Sequence, residues 1–561
     1  MSSVFQIAHD YVDALAALDP STATSLGIPG HERDMTDYSP DGLAAIAALN
    51  RRTLSALGAP SPPLPRTGEG AGVRERIARD VMAERLSVRL ELFDAGEHLR
   101  GLNIITSPLQ GVRGLFDQMP KATDDDWSNI AARLKLVPAA LAGYRRTLEA
   151  GLSRGTPASQ RQARECALQA DIWSGRVAGK QSSFDMLLAQ REASDGLQAD
   201  LEDGVRAAKD GYAETGRWLR DEYLPKANPR EAAGPERYEM MSRVFLGATI
   251  DPREAYEWGW QEFYRLEGEM QATAEKILPG ATVQEAIKLL ETDPDRSLHS
   301  PEAFQSWLQE VHDEAIEAVD GAHFDIDRRI RRCEVMIPPP GGVLAPYYSG
   351  PSEDFTRPGR TWWPLGSRTH FPKWGEVSTA YHEGVPGHHL QVGSARVLGD
   401  KLSRFQKLLT FVSGYGEGWA LYAERLMGEL GFLENPDYYL GMLNGQIMRA
   451  VRVIVDIGMH LEMKIPASER FHPGEVWDHD LALEFAKERT GWPAEMLASE
   501  IVRYLGWPAQ AISYKLGERK WLEVRERAKK KMGADFNLKR FHTDALDLGP
   551  MGLAQLEREI A

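Results

Sequence analysis

The sequence predicts a mainly α-helical fold: a large helical body with a small β-sheet next to a helix suited to hold a metal ion. Three observations lead there. From about residue 125 to 330, and again beyond 374, apolar residues recur at three- and four-residue spacing, the period of one helix face. Only 333–373 breaks that rhythm, with short β-prone runs set apart by Pro and Gly. Hydrophobic residues at 42% and charged residues at 26% of a 561-residue chain describe an ordinary globular protein with a sizeable core.

Residues 1–58 read as helical, with turns at Asp19-Pro20 and Pro29-Gly30. The Pro/Gly-rich stretch 59–73 reads as an exposed loop. After it, Met82, Leu86, Leu90 and Phe93 resume helical spacing, and Leu201, Val205, Ala208, Tyr212 and Leu219 make a longer stripe. Asp251-Pro252-Arg253-Glu254 has the form of a capping box with Pro at the first helical position, leading into Tyr256, Trp260 and Phe263. Ser300-Pro301 opens a helix carrying Phe304, Leu308 and Val311. Strands are expected at Cys333–Ile337, stopped by Pro338 to Gly342, and at Ala345–Tyr348 and Thr361–Trp363. The organisation expected is a helical region 1–330 and a metal-site region 331–561, with its sheet in 331–373, forming one integrated unit without internal repeats.

The chemistry concentrates in Tyr381-His382-Glu383-Gly384-Val385-Pro386-Gly387-His388-His389-Leu390-Gln391. His-Glu opens the H-E-x-x-H pattern, in which two His one turn apart hold zinc and the Glu acts as general base. Here Pro386 stands where the second His belongs. On an unbroken helix His388 would lie about 9 Å along the axis from His382, and His389 about 10.5 Å, too far to share a metal. Pro386 removes the N–H that would bond the carbonyl of His382, and Gly387 lets the chain turn. The break therefore folds a later imidazole back, and both His388 and His389 are open to that role. Glu417, in Gly414-Tyr415-Gly416-Glu417-Gly418-Trp419, follows His382 by 35 residues, room for a returning helix. Two His and a Glu with an open fourth position form a catalytic zinc set. Glu424, seven residues beyond Glu417, lies on the same helix face and is a candidate to hold a ligating His from behind or to pair with Arg425.

These motifs, H-E-G-V-P-G-H-H-L-Q at 382–391, E-G-W-A-L-Y-A-E at 417–424 and R-Y-L-G-W-P-A-Q-A-I-S-Y-K-L-G at 503–517, resemble a bacterial domain-of-unknown-function family, number 885, whose members look like gluzincin-type zinc metallopeptidases. The resemblance implies a mostly helical fold, one zinc ion on His382, His388 and Glu417, and Glu383 as base. Zinc dipeptidyl carboxypeptidases also carry an Arg-Tyr pair well after the metal helix. That favours Tyr504 as oxyanion donor, with Tyr514 as the alternative. Arg503, Arg360, Arg357 and Lys515 are candidates to grip a substrate carboxylate. Asp456 and His460, at i and i+4, suit either a carboxylate orienting an imidazole or a pair on the helix surface, while His472, His479 and His542 have no partner legible in the sequence.

The function expected is hydrolysis of amide bonds in short peptides or peptide-like substrates, with Glu383 deprotonating the attacking water. Two other readings fit the same residues: a non-haem Fe(II) oxygenase with a two-His-one-carboxylate site, and a catalytically silent peptide-binding protein. The net charge of −16 argues against non-specific nucleic-acid binding. Two cysteines, Cys166 and Cys333, indicate no disulfide framework. With neither a signal-like start at Met1–Asp10 nor a run long enough to span a membrane, the expected compartment is the cytoplasm. No phosphate-binding loop occurs in its required context.

Overall fold

Helices run through nearly the whole chain of the computed structural model, which describes residues 3–58, 71–191, 195–338, 345–352 and 354–560. The expected stop after Pro338 and most of the expected Pro/Gly loop lie outside the described residues. Residues 71–73 do not continue that loop; they begin the helix Ala71–Asp94. By contacts the chain forms two compact units. One unit comprises 1–60, 82–232 and 502–507, and the other 61–81, 233–501 and 508–561.

In the first unit the long helix Asp124–Ser153 and the helix Asp195–Trp218 share a core with Gln160–Trp173. The stripe Leu201, Val205, Ala208 and Tyr212 lies in it with Leu134, Val137, Leu141 and Tyr144, all buried. The 3.6-residue period puts these side chains on one face, and their removal from water is the main stabilising term. Thr123 and Asp126 close a reciprocal cap at the start of the long helix.

The second unit holds the candidate site. Helix α1 (Pro252–Ile277) starts at Asp251, whose carboxylate accepts from the N–H groups of Arg253 and Glu254. Glu254 pairs instead with Arg519 at 2.7 Å, so Asp251 caps the helix without the return bond of a capping box. Helix α2 (Pro301–Val319) buries Phe304 and Leu308 against Val335, Trp363, Phe371 and Ala380. The last of these belongs to α3 (Glu376–Glu383), so this cluster ties the metal helix to the small sheet.

That sheet has three strands, β1 (Cys333–Met336), β2 (Tyr347–Ser349) and β3 (Gly359–Trp362). β3 is central, parallel to β1 with Cys333 opposite Gly359, and antiparallel to β2 with Tyr347 opposite Trp362. Among the described residues β2 is thus an edge strand.

After α3 come α4 (His388–Val397), α5 (Ser413–Glu429), α6 (Pro436–His460) and α7 (Ser513–Met532). Where α5 crosses α7, Gly418 meets Gly517: a Cβ on Gly418 would lie 2.5 Å from the Cα of Gly517. Only paired glycines let the two backbones approach so closely, and the approach fixes the height of Glu417 beside them.

Asp456 and His460 on α6 are both fully buried. Asp456 Oδ2 accepts from the hydroxyl of Tyr238 at 2.7 Å and from the N–H of Ala509 at 3.0 Å, while His460 Nε2 lies 3.8 Å from Asp456 Oδ1. The pair lies among interior elements and is not on a helix surface. No described helix is long and apolar enough to cross a membrane.

Candidate metal centre

The break after α3 builds the site. The N–H of Gly384 closes α3 on the carbonyl of Ala380, and the N–H of Gly387 reaches back to that of Tyr381 at 3.0 Å. The Val385–Pro386 peptide is cis. The indole N–H of Trp419, on α5, donates to the carbonyl of Pro386 at 2.8 Å, with that of Gly387 at 3.3 Å. The carbonyl of Pro386, at the break itself, thereby has a donor. The chain then restarts as α4 with His388 at its first position.

This places His388 beside His382, their rings 4.9 Å apart and nearly perpendicular. Glu417 Oε2 lies 3.3 Å from His382 Nε2 and 3.5 Å from His388 Nε2. One donor atom from each residue falls within 4.8 Å of the other two. Bonds of about 2.0–2.1 Å at tetrahedral angles separate neighbouring ligand atoms by about 3.3–3.4 Å, so the spacing to Glu417 is that of two edges of a zinc tetrahedron. The donor set of two imidazoles and a carboxylate fits zinc as well as the spacing does.

His389 turns away. Its Nε2 lies 2.7 Å from the carbonyl of Ile330 and its Nδ1 3.0 Å from the hydroxyl of Tyr348. A carbonyl only accepts, so Nε2 carries the proton and Nδ1 accepts from Tyr348. Both nitrogens are used in fastening α4 to β2 and to the segment before β1, which leaves His388 as the ring facing the cluster. Burial pushes the His389 imidazole down to about 4, in keeping with a neutral tether.

Glu424 stands behind His382. Its Oε1 accepts from His382 Nδ1 at 2.7 Å, and its Oε2 accepts from the hydroxyl of Ser378 at 2.5 Å. That leaves Nε2 of His382 aimed at the cluster and its tautomer set. Arg425 pairs elsewhere, with Glu269 at 2.9 Å. Helix α5 thus supplies a donor in Glu417, an orienting carboxylate two turns on in Glu424, and the indole that holds the break.

The electrostatics follow from packing carboxylates and imidazoles out of water. Burial opposes a charge on His382, but hydrogen bonds to Glu417 and Glu424 outweigh it and carry the imidazole up to about 10. Glu417, against burial, is held far below the carboxylate range by the two imidazoles. Such a cluster demands positive charge at its centre. Glu383, also buried, moves the other way: burial raises its carboxyl, with His382, His388 and Arg449 pulling it back. It has no hydrogen-bond or ion-pair partner among the described residues, which suits a group that takes up and releases a proton.

Lys515 is buried among Glu262 at 2.9 Å, Glu518 and Gln446, so its charge is already balanced. Arg360 pairs with Glu334 at 2.9 Å across β1 and β3, and Arg357 donates to the carbonyl of Gly350. Tyr514 lies under Arg452, 4.7 Å from ring centre to guanidinium. Arg503 and Tyr504 belong to the first unit, stacked at 5.0 Å, with Tyr504 buried. His472 pairs with Glu475 and Glu484, His479 with Asp480, and His542 with the hydroxyl of Tyr422.

Arg449, on α6, is absent from the sequence-based candidates. Its guanidinium lies 5.9 Å from the ring centres of both Trp492 and Tyr514, and its Nε is buried without a hydrogen-bond partner. It has no carboxylate partner among the described residues, yet its charge lowers both Glu383 and Glu424. The one signal in the sequence is Gly445 a turn earlier, an unusual residue for a helix interior.

A family model described as "Bacterial protein of unknown function (DUF885)" matches residues 20–560. Two solved structures share the fold. One is titled "putative lipoprotein from Colwellia psychrerythraea", with TM-score 0.84 and 24% identity over 100% of this chain and 99% of that one. The other is titled a "putative lipoprotein of unknown function from Shewanella oneidensis", with TM-score 0.72 and 19% identity over 100% and 99%. No curated protein matches the chain.

Proposed function

The chain belongs to this DUF885 family, and from that premise we propose that it hydrolyses amide bonds in short peptides or peptide-like substrates with the help of one zinc ion. The observation that carries the reading is the spacing of His382, His388 and Glu417, with Glu417 Oε2 at 3.3 and 3.5 Å from the two imidazole nitrogens. Zinc held there would polarise the substrate carbonyl and acidify a water.

The residues of the chain do the rest. Glu383, next to a metal ligand and without a competing partner among the described residues, takes a proton from the water as its oxygen bonds to the carbonyl carbon. It returns that proton to the amide nitrogen as the C–N bond breaks. Glu424 keeps His382 in the tautomer that offers Nε2. The outer edge of β2 is a place for an extended substrate to add a strand; its Tyr348 ring lies 6.5 Å from that of His388. The adjacent base favours hydrolysis over oxygenation, which needs no carboxylate there.

A short-peptide library followed by mass spectrometry tests the reading. Peptides are expected to be cleaved, cleavage to stop with a chelator, and zinc to restore it. Turnover that requires iron and O₂ would favour the oxygenase, and peptide binding without cleavage would favour the silent binding protein.

A further inference from the structure

We propose that Arg449 binds the terminal carboxylate of the substrate, so that the chain shortens peptides from their C-terminal end. This rests on the amide hydrolysis proposed above and adds the polarity of the cut.

A half-buried guanidinium with an unmade Nε–H bond is costly unless an anion completes it. The neighbouring carboxylates do not. Glu424 is engaged through both oxygens, by His382 and Ser378, and Arg452, one turn further along α6, is paired with Glu500 at 2.8 Å. Of these two stacked arginines, Arg449 is the one without a carboxylate among the described residues. A Cβ on Gly445 would lie 2.7 Å from Arg449 Nη1 and 3.7 Å from Glu424 Oε2, so the missing side chain lets the guanidinium lie against the helix beside the carboxylate that supports His382. The planar fork of an arginine suits two-pronged binding of a carboxylate.

Trp492 and Tyr514 flank the same guanidinium and offer apolar faces to the last side chain of the peptide. One extended residue spans about 3.3–3.6 Å, so a terminus held at Arg449, whose Nη1 lies with Glu424 Oε2 around the Gly445 position, brings one of the last amide bonds to the cluster.

Equilibrium binding tests this without relying on turnover. The zinc-loaded Glu383→Gln chain is titrated with Ala-Ala-Phe as free acid, with its C-terminal amide, and with the amide of Ala-Ala-Glu. The free acid is expected to bind about 10–100-fold more tightly than its amide, the range of a charge-assisted hydrogen-bonded pair. Adding Arg449→Met should bring the acid down to the level of the amide, and Arg449→Lys should keep part of the gap. Binding of the amide to the Met variant reports that the fold survives. Equal binding of acid and amide, or a gap that persists in Arg449→Met, would overturn the proposal. So would Ala-Ala-Glu amide matching the free acid, since the carboxylate would then be a side chain's. If acid and amide differ as expected but the wild-type chain cleaves nothing, the hydrolase reading fails and the clamp stands.

Discussion

Glu383→Gln is expected to lower peptide hydrolysis by about 10²–10⁴-fold, the range for losing a general acid–base, while zinc content stays at the wild-type level. The amide has nearly the shape of the carboxyl but cannot accept the proton. It should also fold well, because burial already disfavours the charge at this position and Glu383 holds no ion pair among the described residues. Turnover and zinc content, measured on the same preparation, separate a chemical role from a structural one. Loss of both together would mean that Glu383 supports the site and does not act in it.

Gly387→Ala is expected to empty the centre. A Cβ there would lie 2.0 Å from the carbonyl oxygen of His382 and 2.4 Å from that of Tyr381. Both are backbone atoms of α3, so no side chain can swing aside. The break must open, and His388, the next residue, moves with it. Crowding of this kind costs about 1–3 kcal/mol in a well-packed interior, and the displaced ligand should weaken zinc binding by about 100-fold or more. Gly375→Ala, at the start of α3, is the control: a Cβ there meets nothing within 4 Å, and zinc binding should persist. If Gly387→Ala binds zinc normally, the turn is looser than its contacts imply.

What the sequence made legible follows the range of each interaction. The helical body is written in local periodicity, and stripes such as Leu201 to Tyr212 are buried where a 3.6-residue period puts them. The start of α1 is likewise local, though Glu254 goes to Arg519, 265 residues away, and no nearby signal foretells that. His382, Glu383 and Glu417 stand out by residue type and spacing. The choice between His388 and His389 does not, because it turns on Ile330 and Tyr348, which occupy the second ring from 59 and 41 residues away. Lys515 drew notice for its charge, but Glu262 had already balanced it across the fold. Arg449 went unnoticed for the converse reason: the want of a partner is a property of the folded chain. Grouping of Val502–Trp507 with the first unit is equally a matter of tertiary contacts.

The proposed centre depends on one folded-back imidazole sharing a cation with His382 and Glu417, and calorimetric titration of zinc into chelator-treated protein examines that directly. One equivalent per chain is predicted for the wild type and for His389→Asn, and none at comparable affinity for His388→Ala. A wild type that takes up no zinc, or a His388→Ala chain that binds it as tightly as before, would rule out this metal centre.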